Sequence, residues 1–531
     1  MDISVFEVIG PVMVGPSSSG TAGMARLGLA AGKFLDGPIK ALNLRFHPRN
    51  TDYAGLRSHL ALIGGVLGLR EYDPQLQQAL EIARERGIEV TASRFSEPLP
   101  KSGLTVELAM EQTSGAIRRV TGVSVGGGSI AIIGIDDFQV SLTSTAKHLF
   151  IWADEDVTGD IANILADLPL QQDQQQGKYL LYAEVPLDVD EGVARRLQAI
   201  PHVTKTLFVE PFLTFGYVPH QPLFTTYEAL MRLSEESGAT VAELAIQYEM
   251  NRSGKSRDEI WNTMVQRLTY MRETVEDGLN KDIRTLFGFG TGIDGRTMLK
   301  AVQEGKTLGG NTLGRAIAKA LATMEMDCSM NRVVAAPTGG SCGIVPGCLF
   351  TVQEDTGCTD EALVNALFVA AAAGVVMYYE GASFSGMGGG CQGEIGVSSA
   401  IAAAALAYLG GGNARVICHA MALAMKNILG LICDRIGGSS EIPCIRRNGI
   451  GVANAFSGCD MALAGIESYV SPDEVIAALC NTQKLLPPEL RGGYGGLGCT
   501  SASRVAREIE TRLNQTLTLP EKELLNPVLR P

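Results

Sequence analysis

The sequence predicts an α+β protein of several domains, in which an N-terminal α/β domain and a βαββαβ unit precede a C-terminal all-α domain. Two observations lead to this prediction. In the first two hundred residues, short alternating stretches such as LNLRFHP (42–48) are typical of strands and are separated by segments with helical spacing. After about residue 226, long amphipathic helices follow, and then alanine-rich helices alternate with glycine-rich loops.

Glycine and proline mark the boundaries of three predicted units. The first unit, 1–128, ends in a run of three glycines that we expect to act as a hinge or turn. The second, 129–218, begins with the strands SIAIIGID and FQVSL, and the βαββαβ pattern of 148–211 indicates a split βαβ domain. Inside it, the polar stretch QQDQQQGK (171–178) is predicted to be a loop. A linker with two prolines opens the third unit, 219–531.

Composition excludes some classes of function. The 44 basic against 57 acidic residues give a net charge of −13, so we expect no nucleic-acid-binding surface, which would need clustered positive charge. Eleven cysteines in 531 residues are too sparse for a disulfide scaffold. The N-terminus has no basic region followed by an apolar core, so no signal peptide is predicted and a cytoplasmic, reducing compartment is expected.

One segment, EALVNALFVAAAAGVVMYYEGASF, is apolar enough to approach the length of a membrane span. Alanine carries most of its apolar character, and alanine is only weakly hydrophobic. A buried helix is therefore favoured, and no contact with a membrane is predicted.

Three cysteines stand in loops marked by glycine or proline: Cys391 in GGGCQGE, Cys433 in GLICDRIGG and Cys444 in EIPCIRRNG. Cysteine thiolates hold iron–sulfur clusters and structural zinc, and three of them would leave one metal position open to a substrate. Free cysteine is also among the most buried residue types, so spacing alone leaves a core role open.

Two small-residue loops and one histidine add further candidates. GPSSSGT (15–21) offers hydroxyls and backbone amides to a carboxylate or phosphate, or is an ordinary polar turn. APTGGSCGIVPG (336–347) has the same two interpretations. His419 lies in the helical run ARVICHAMALAMKNILG, where either a core or a catalytic role is open.

These segments resemble the iron–sulfur-dependent L-serine dehydratase (L-serine ammonia-lyase) family over nearly the whole chain. SVFEVIGPVMVGPSSSGTAGMAR resembles its β-type domain, and 148–211 resembles an ACT-like regulatory domain. MDCSMNRVVAAPTGGSCGIVPG, GCQGEIGVSSAIAAAALAYLGGG and GLICDRIGGSSEIPCIRRNG resemble its α-type catalytic domain. The separations of Cys391, Cys433 and Cys444 match the family's cluster-binding triad.

The resemblance implies a [4Fe–4S] cluster held by the three cysteines, with one iron open to the β-hydroxyl of L-serine. Removal of the α-proton and loss of water would give aminoacrylate, which becomes pyruvate and ammonia without pyridoxal phosphate. The loops implied to contact the substrate supply Ser17, Ser18, Ser19, Thr21, Thr338 and Ser341. Arg447 would either neutralise the substrate carboxylate or form a structural ion pair. A homodimer is the expected assembly.

The chain departs from the family pattern at two histidines. Gly20 and Leu56 stand where the family has them, and His59 follows three residues after Leu56. His59 and His419 are therefore the candidate bases, and the base is otherwise unassigned. The ACT-like unit lacks a D-x-P-G turn, and LLNPVLRP has no terminal cysteine, so neither an effector site nor a tail that plugs the iron is expected.

Three alternatives stay open, and the missing histidines favour the first of them. The cluster could serve β-elimination from another amino acid, as in an L-cysteine desulfidase or an L-threonine dehydratase. The chain could instead be a non-catalytic sensor that carries a cluster. A closed zinc site is the third alternative, for which no fourth ligand is evident in the sequence.

Overall fold

The structure is a computed structural model, and it describes residues 3–47, 55–96, 104–142, 146–165, 168–186, 189, 191–211, 215–492 and 495–514. Within these ranges the chain has a six-stranded sheet, a four-stranded sheet, a two-stranded sheet and a large helical part. The protein is therefore of the mixed α+β type that the sequence predicts.

The N-terminal part combines helices with the six-stranded sheet. Its elements are α1 (Val5–Val8), β1 (Val12–Val14), α2 (Gly23–Gly32), β2 (Ile39–Phe46), α3 (Ser58–Val66), α4 (Ala79–Glu85), β3 (Glu89–Arg94), β4 (Thr105–Gln112), β5 (Ile117–Gly126), β6 (Ser129–Ile135) and β7 (Phe138–Leu142). The strand order is β3-β2-β4-β5-β6-β7, and β2 pairs parallel with β3. Leu42, Leu44 and Phe46 alternate with more exposed residues along β2, so one face of the sheet is buried.

The boundary predicted at 128/129 is wrong. β6 and β7, which we expected to open the second unit, continue the six-stranded sheet of the first. Gly126 to Gly128 all have positive φ angles, from 60° to 113°, and they form a tight hairpin between β5 and β6. The glycine run is therefore a turn inside one sheet and does not separate two units.

The second sheet has the βαββαβ order that the sequence predicts. Its elements are β8 (Lys147–Ala153), α5 (Thr158–Ile164), β9 (Gln171–Gln175), β10 (Lys178–Val185), α6 (Glu191–Gln198) and β11 (Val203–Val209). The antiparallel order is β11-β8-β10-β9. Leu149 and Ile151 face α5 and α6, whereas Phe150 on the opposite face packs against Phe34 of the N-terminal part, with ring centroids 5.4 Å apart.

The predicted loop at 171–178 is mostly a strand. Gln171–Gln175 is β9, the edge strand of this sheet, and pairs antiparallel with β10. Gln176 and Gly177 both have positive φ angles, 52° and 78°, as a two-residue type I′ hairpin requires. An edge strand exposed on its outer side can be entirely polar, so its composition hides the strand.

The helical part begins after the linker. Its elements are α7 (Tyr227–Ser237), α8 (Val241–Ser253), α9 (Arg257–Asn280), α10 (Asp294–Gln303), α11 (Gly310–Asp327), β12 (Arg332–Val334), α12 (Ile344–Thr356), α13 (Asp360–Tyr379), α14 (Gly386–Gly389), α15 (Ile395–Leu409), α16 (Ala414–Lys426), α17 (Cys444–Leu463), α18 (Pro472–Leu485) and α19 (Ser501–Asn514). α15 packs against α13, α16 and α17, and alanines such as Ala402 and Ala403 allow these close approaches.

Helix α13 is long and apolar enough to cross a membrane by length and composition alone. In the structure, 78% of its apolar window is buried against other helices. It is therefore a core helix of the bundle, as predicted.

The N-terminal segment reaches into the helical part. β1 pairs antiparallel with β12, with Val12 opposite Val334. The buried carboxylate of Glu249 on α8 accepts a hydrogen bond of 2.9 Å from the Val5 amide. Because β1 leads into the 15–21 loop and β12 leads into the 336–347 loop, this small sheet brings the two predicted substrate loops together.

Candidate metal centre and adjoining loops

Cys391 follows α14 and is 1% exposed. Gly390 before it has a φ of 77°, and a Cβ there would lie 2.9 Å from the Leu431 carbonyl oxygen, so only glycine suits the position. The Gln392 amide donates a hydrogen bond of 3.0 Å to the same carbonyl. The glycine run therefore holds Cys391 directly against the segment that carries Cys433.

The structure brings two of the three predicted cysteine ligands together. The Sγ atoms of Cys391 and Cys433 and a carboxylate oxygen of Glu394 all lie within 4.8 Å of one another. The hydrogen bond between the two thiols raises the pKa of Cys391 and lowers that of Cys433. This pair therefore offers one sulfur that ionises readily, which is the form that binds metals.

Cys444 lies beside this group as the first residue of α17. It is 4% exposed and does not belong to the set within 4.8 Å. Its charge nevertheless contributes to the raised pKa of Cys391, and burial raises its own pKa. The three predicted ligands thus converge from three loops, with Cys444 farthest from the pair.

Arg447 is held by the protein around the cysteines. Its Nη1 lies 3.3 Å from the Cys391 Sγ and 2.8 Å from the Ile432 carbonyl oxygen, and its Nη2 lies 2.7 Å from Asp434. These contacts favour the structural ion pair over direct binding of a substrate carboxylate. They also place a positive charge against a sulfur, where it favours the thiolate.

Glu394 is a site residue that we did not predict, although it stands three residues after Cys391 in GGGCQGE. Burial raises its pKa, while hydrogen bonds from the Thr338 side chain and the Gly386 amide act in the opposite direction. A Cβ on Gly386 would lie 2.5 Å from the Glu394 carboxylate and 2.9 Å from the Cys433 Sγ. The residue therefore ties the cysteines to the 336–347 loop.

The loop with Thr338 and Ser341 is fixed by its own hydroxyls and by α17. The two hydroxyl oxygens are 3.1 Å apart, and both residues are fully buried. Asn448, one turn after Cys444, donates to the Gly340 carbonyl at 3.0 Å and accepts from the Gly343 amide at 3.2 Å. Sequence reasoning missed Asn448, whose only signal is its position in the IRRNG motif.

The 15–21 loop uses part of its polar groups to close itself. The Ser17 hydroxyl accepts from the Gly20 amide at 3.0 Å, and the Thr21 hydroxyl donates to the Leu56 carbonyl at 2.7 Å. Ser18 and Ser19 are therefore better candidates for substrate contacts than Ser17 and Thr21. The loop meets the 336–347 loop, since a Cβ on Gly339 would lie 3.4 Å from the Ser18 amide nitrogen.

Glu441 anchors the segment between Cys433 and Cys444. Its buried carboxylate accepts four hydrogen bonds, from the Thr285 hydroxyl and from the amides of Phe287, Phe289 and Gly290. Burial raises its pKa, and these donors partly offset that effect. The residue thereby positions one cysteine-bearing loop on the rest of the helical part.

The structure places the two candidate bases, His419 and His59, in different parts of the protein. His419 accepts from the Ser468 amide at 3.1 Å and lies 3.9 Å from Glu467, both just beyond the C-terminal end of α17. Cys444 begins that 20-residue helix, which is about 30 Å long. His419 is thus too far away to act as the base, and that prediction is wrong. His59 is buried in α3, next to the 15–21 loop, and stays a prediction.

Gly20 and Leu56, the two departures from the family pattern, touch each other. A Cβ on Gly20 would lie 2.6 Å from Leu56 Cδ1, and the Ser58 hydroxyl donates to the Gly20 carbonyl at 2.6 Å. Leu56 is 3% exposed. An apolar contact therefore occupies the place where two imidazoles are expected.

We predict that Gly20→Ala destabilises the protein by about 1–3 kcal/mol because the added methyl overlaps Leu56. In a Leu56→Ala background the same change should cost much less, and urea unfolding of the four proteins measures this coupling. Gly159→Ala is the control, because its added methyl meets open space. Equal costs of Gly20→Ala in both backgrounds would contradict the contact.

The donor set fits a metal. Three buried cysteines, a partly buried carboxylate and a neighbouring arginine are groups that can hold a cluster or a transition metal. All eleven cysteines are free thiols, so none of the three is engaged in a disulfide. Among the described residues, Cys391, Glu394 and Cys433 are the group of cysteine, histidine and acidic side chains close enough to share one metal ion.

The fold and the site together define an α+β protein whose helical part carries a centre of cysteine and carboxylate groups. The chain belongs to the serine dehydratase alpha chain family, whose model matches residues 236–494. That segment holds the three cysteines, Glu394, and the loop with Thr338 and Ser341.

Curated relatives agree with this assignment. The chain is 38% identical over 292 residues to the probable L-serine dehydratase alpha chain of Bacillus subtilis, covering 55% of this chain and 95% of the relative. It is 34% identical over 289 residues to the L-serine dehydratase alpha chain of Peptoniphilus asaccharolyticus, covering 54% and 98%. With L-serine dehydratase TdcG of Escherichia coli it is 41% identical over 180 residues, covering 34% and 40%.

Proposed function

We propose that the protein is an L-serine ammonia-lyase that converts L-serine to pyruvate and ammonia with a [4Fe–4S] cluster. One observation carries the proposal. Cys391, Cys433 and Glu394 meet within 4.8 Å, beside Thr338, inside the segment that matches the serine dehydratase family. Cys391, Cys433 and Cys444 would hold the cluster, which supplies a Lewis acid for the β-hydroxyl of the substrate.

Residues of the chain itself would bind the substrate, orient it and transfer protons. The hydroxyls and amides of Ser18, Ser19, Thr338 and Ser341 would bind the substrate and orient its Cα–H bond. A base would take the α-proton, and the β-hydroxyl would leave as water after protonation, which gives aminoacrylate. Its imine tautomer is hydrolysed to pyruvate and ammonia. Because Ser18, Thr338 and Ser341 are buried, this part of the loops would exclude water while the carbanion character develops.

The contact between Gly20 and Leu56 favours a second candidate function. If the family's histidines help to select or deprotonate L-serine, an apolar contact in their place suits a different β-substituted amino acid. The alternative is β-elimination from L-cysteine or L-threonine at the same centre. The non-catalytic sensor and the closed zinc site are outcomes that the same experiment identifies.

The test is anaerobic purification, followed by iron and sulfide analysis and by assays for 2-oxoacid and ammonia. We expect about four irons for each chain and pyruvate from L-serine. Sulfide released from L-cysteine alone would favour the alternative substrate. Zinc without iron, or a cluster without turnover of L-serine, L-threonine or L-cysteine, would contradict the proposal. Exposure to air should abolish turnover, since an open iron is accessible to oxidants.

We also propose a cytoplasmic homodimer, with the βαββαβ unit as an ACT-like domain. The support is the free state of all eleven cysteines, which suits a reducing compartment, and the four-stranded sheet with two helices on one face. The domain division that we propose places residues 129–142 with the first unit, because their strands complete its sheet.

A further inference from the structure

Asp327 is a buried acid that none of the roles above uses. It is the last residue of α11 and is 0% exposed. Neither of its carboxylate oxygens has a hydrogen-bond partner among the described residues. Burial raises its pKa well above the usual range, and the nearby charge of Glu394 adds to this effect.

Three other buried acids of the helical part accept hydrogen bonds from the protein. Glu325, two residues earlier on α11, accepts from the amides of Asp294 at 2.7 Å and Gly295 at 3.2 Å. Glu441 accepts four hydrogen bonds, and Glu249 binds the Val5 amide and Arg252. Buried carboxylates are normally paired because an unpaired one is costly. The exception at Asp327 therefore indicates a partner outside the described residues.

Asp327 lies where the two substrate loops meet. A Cβ on Gly15 would overlap its carboxylate, and a Cβ on Gly339 would lie 3.2 Å from its Oδ1 and 3.4 Å from the Ser18 amide nitrogen. Glycine at both positions thus lets the 15–21 loop and the 336–347 loop approach the Oδ1 atom closely. Glu394, across the second loop, connects the same region to Cys391 and Cys433.

We propose that Asp327 binds the α-ammonium group of the amino acid substrate. This inference rests on the proposed function, because it takes the substrate to be an amino acid with its β-substituent toward the cysteines. The hydroxyls and amides of the loops suit the substrate carboxylate. An ammonium group has three N–H donors and a positive charge, and the two unpaired oxygens of Asp327 complement both.

The test compares ligands with and without the ammonium group. In the anaerobic holoenzyme, Asp327→Asn should raise the KM for L-serine about 100-fold, the size expected when one partner of a buried charge pair is removed. Inhibition by 3-hydroxypropionate, which lacks the ammonium group, should change less than about twofold. Glu325→Gln changes a paired acid on the same helix. It should leave the KM for L-serine and the inhibition constant of 3-hydroxypropionate near their wild-type values.

A second measurement does not depend on activity. Because the unpaired carboxylate destabilises the folded chain, Asp327→Asn should raise the urea midpoint of the cluster-free protein at pH 8, whereas Glu325→Gln should lower it. A lower midpoint for Asp327→Asn would assign Asp327 a structural role and overturn the proposal. The proposal would also be overturned if Asp327→Asn left unchanged the ratio of the KM for L-serine to the inhibition constant of 3-hydroxypropionate.

A failure of the proposed function can be distinguished from a failure of the proposed ammonium site. If the wild type turns over L-cysteine instead of L-serine, the same comparison with 3-mercaptopropionate tests the ammonium site. If no amino acid is turned over, calorimetric titration of L-serine and 3-hydroxypropionate into wild type and Asp327→Asn gives the two affinities directly. Loss of affinity for L-serine alone in the variant supports the ammonium site, and equal effects on both ligands contradict it.

Discussion

Cys433→Ala should lose both the bound iron and the turnover of L-serine. The Sγ atom of Cys433 lies within 4.8 Å of Cys391 Sγ and a Glu394 carboxylate oxygen, in a group close enough to share one metal ion. Its loss leaves Cys391 and Glu394 from that group, with Cys444 outside it. We expect iron to fall from about four to less than about one for each chain, and kcat to fall by at least about 10³-fold. Iron analysis and pyruvate formation under anaerobic conditions measure the two effects.

The control for this variant is Cys418→Ala. Cys418 is equally buried, on α16 next to His419, and its thiol interacts with Asp473 and not with the three cysteines. Its removal should cost some stability but retain iron and activity. Full retention of iron in Cys433→Ala would refute the assignment of Cys433 as a ligand.

Glu441→Ala should destabilise the protein by about 3–5 kcal/mol, because four buried donors lose their acceptor at once. These donors belong to residues 285–290, whereas Glu441 lies three residues before Cys444. The same change should therefore loosen the cysteine loop and reduce the iron retained after desalting. Urea unfolding at pH 7 measures the first effect, and iron analysis of the folded protein measures the second.

Glu467→Ala provides the comparison for a carboxylate that is exposed. Glu467 forms a surface ion pair with Arg415, 2.8 Å away, and such pairs contribute little. We expect a change within about 0.5 kcal/mol. Similar losses in the two variants would mean that the four hydrogen bonds of Glu441 do not anchor the loop.

Much of the fold was predictable because local patterns agree with the packing. Alternation along β2 and the βαββαβ order of the second sheet are visible in the residues themselves. The strand at Gln171–Gln175 was missed because an exposed edge strand needs no apolar face. The boundary at 128/129 was misplaced because a glycine run marks a turn equally well inside a sheet and between two units.

The candidate site was predictable only where cysteines stand in glycine-marked loops. Glu394 was missed because its role depends on a hydrogen bond from Thr338, which lies on another loop. Asp327 was missed for a similar reason, since only the packed structure shows which buried acids lack partners. His419 was wrongly predicted as a candidate base. The helical spacing of α16 does not show which end of the neighbouring helix α17 this residue lies near.

The pairing of β1 with β12 has a consequence for how the active protein can be divided. Residues 12–14 and 332–334 join across more than 300 positions, and the two pocket loops follow from them. A cut in the linker after β11 would yield two fragments. Each fragment would carry one strand of the two-stranded sheet and one of the two predicted substrate loops. Reassembly would then depend on fragment concentration, whereas the continuous chain supplies a millimolar effective concentration of each loop to the other. One continuous chain thus keeps the two loops together at any dilution.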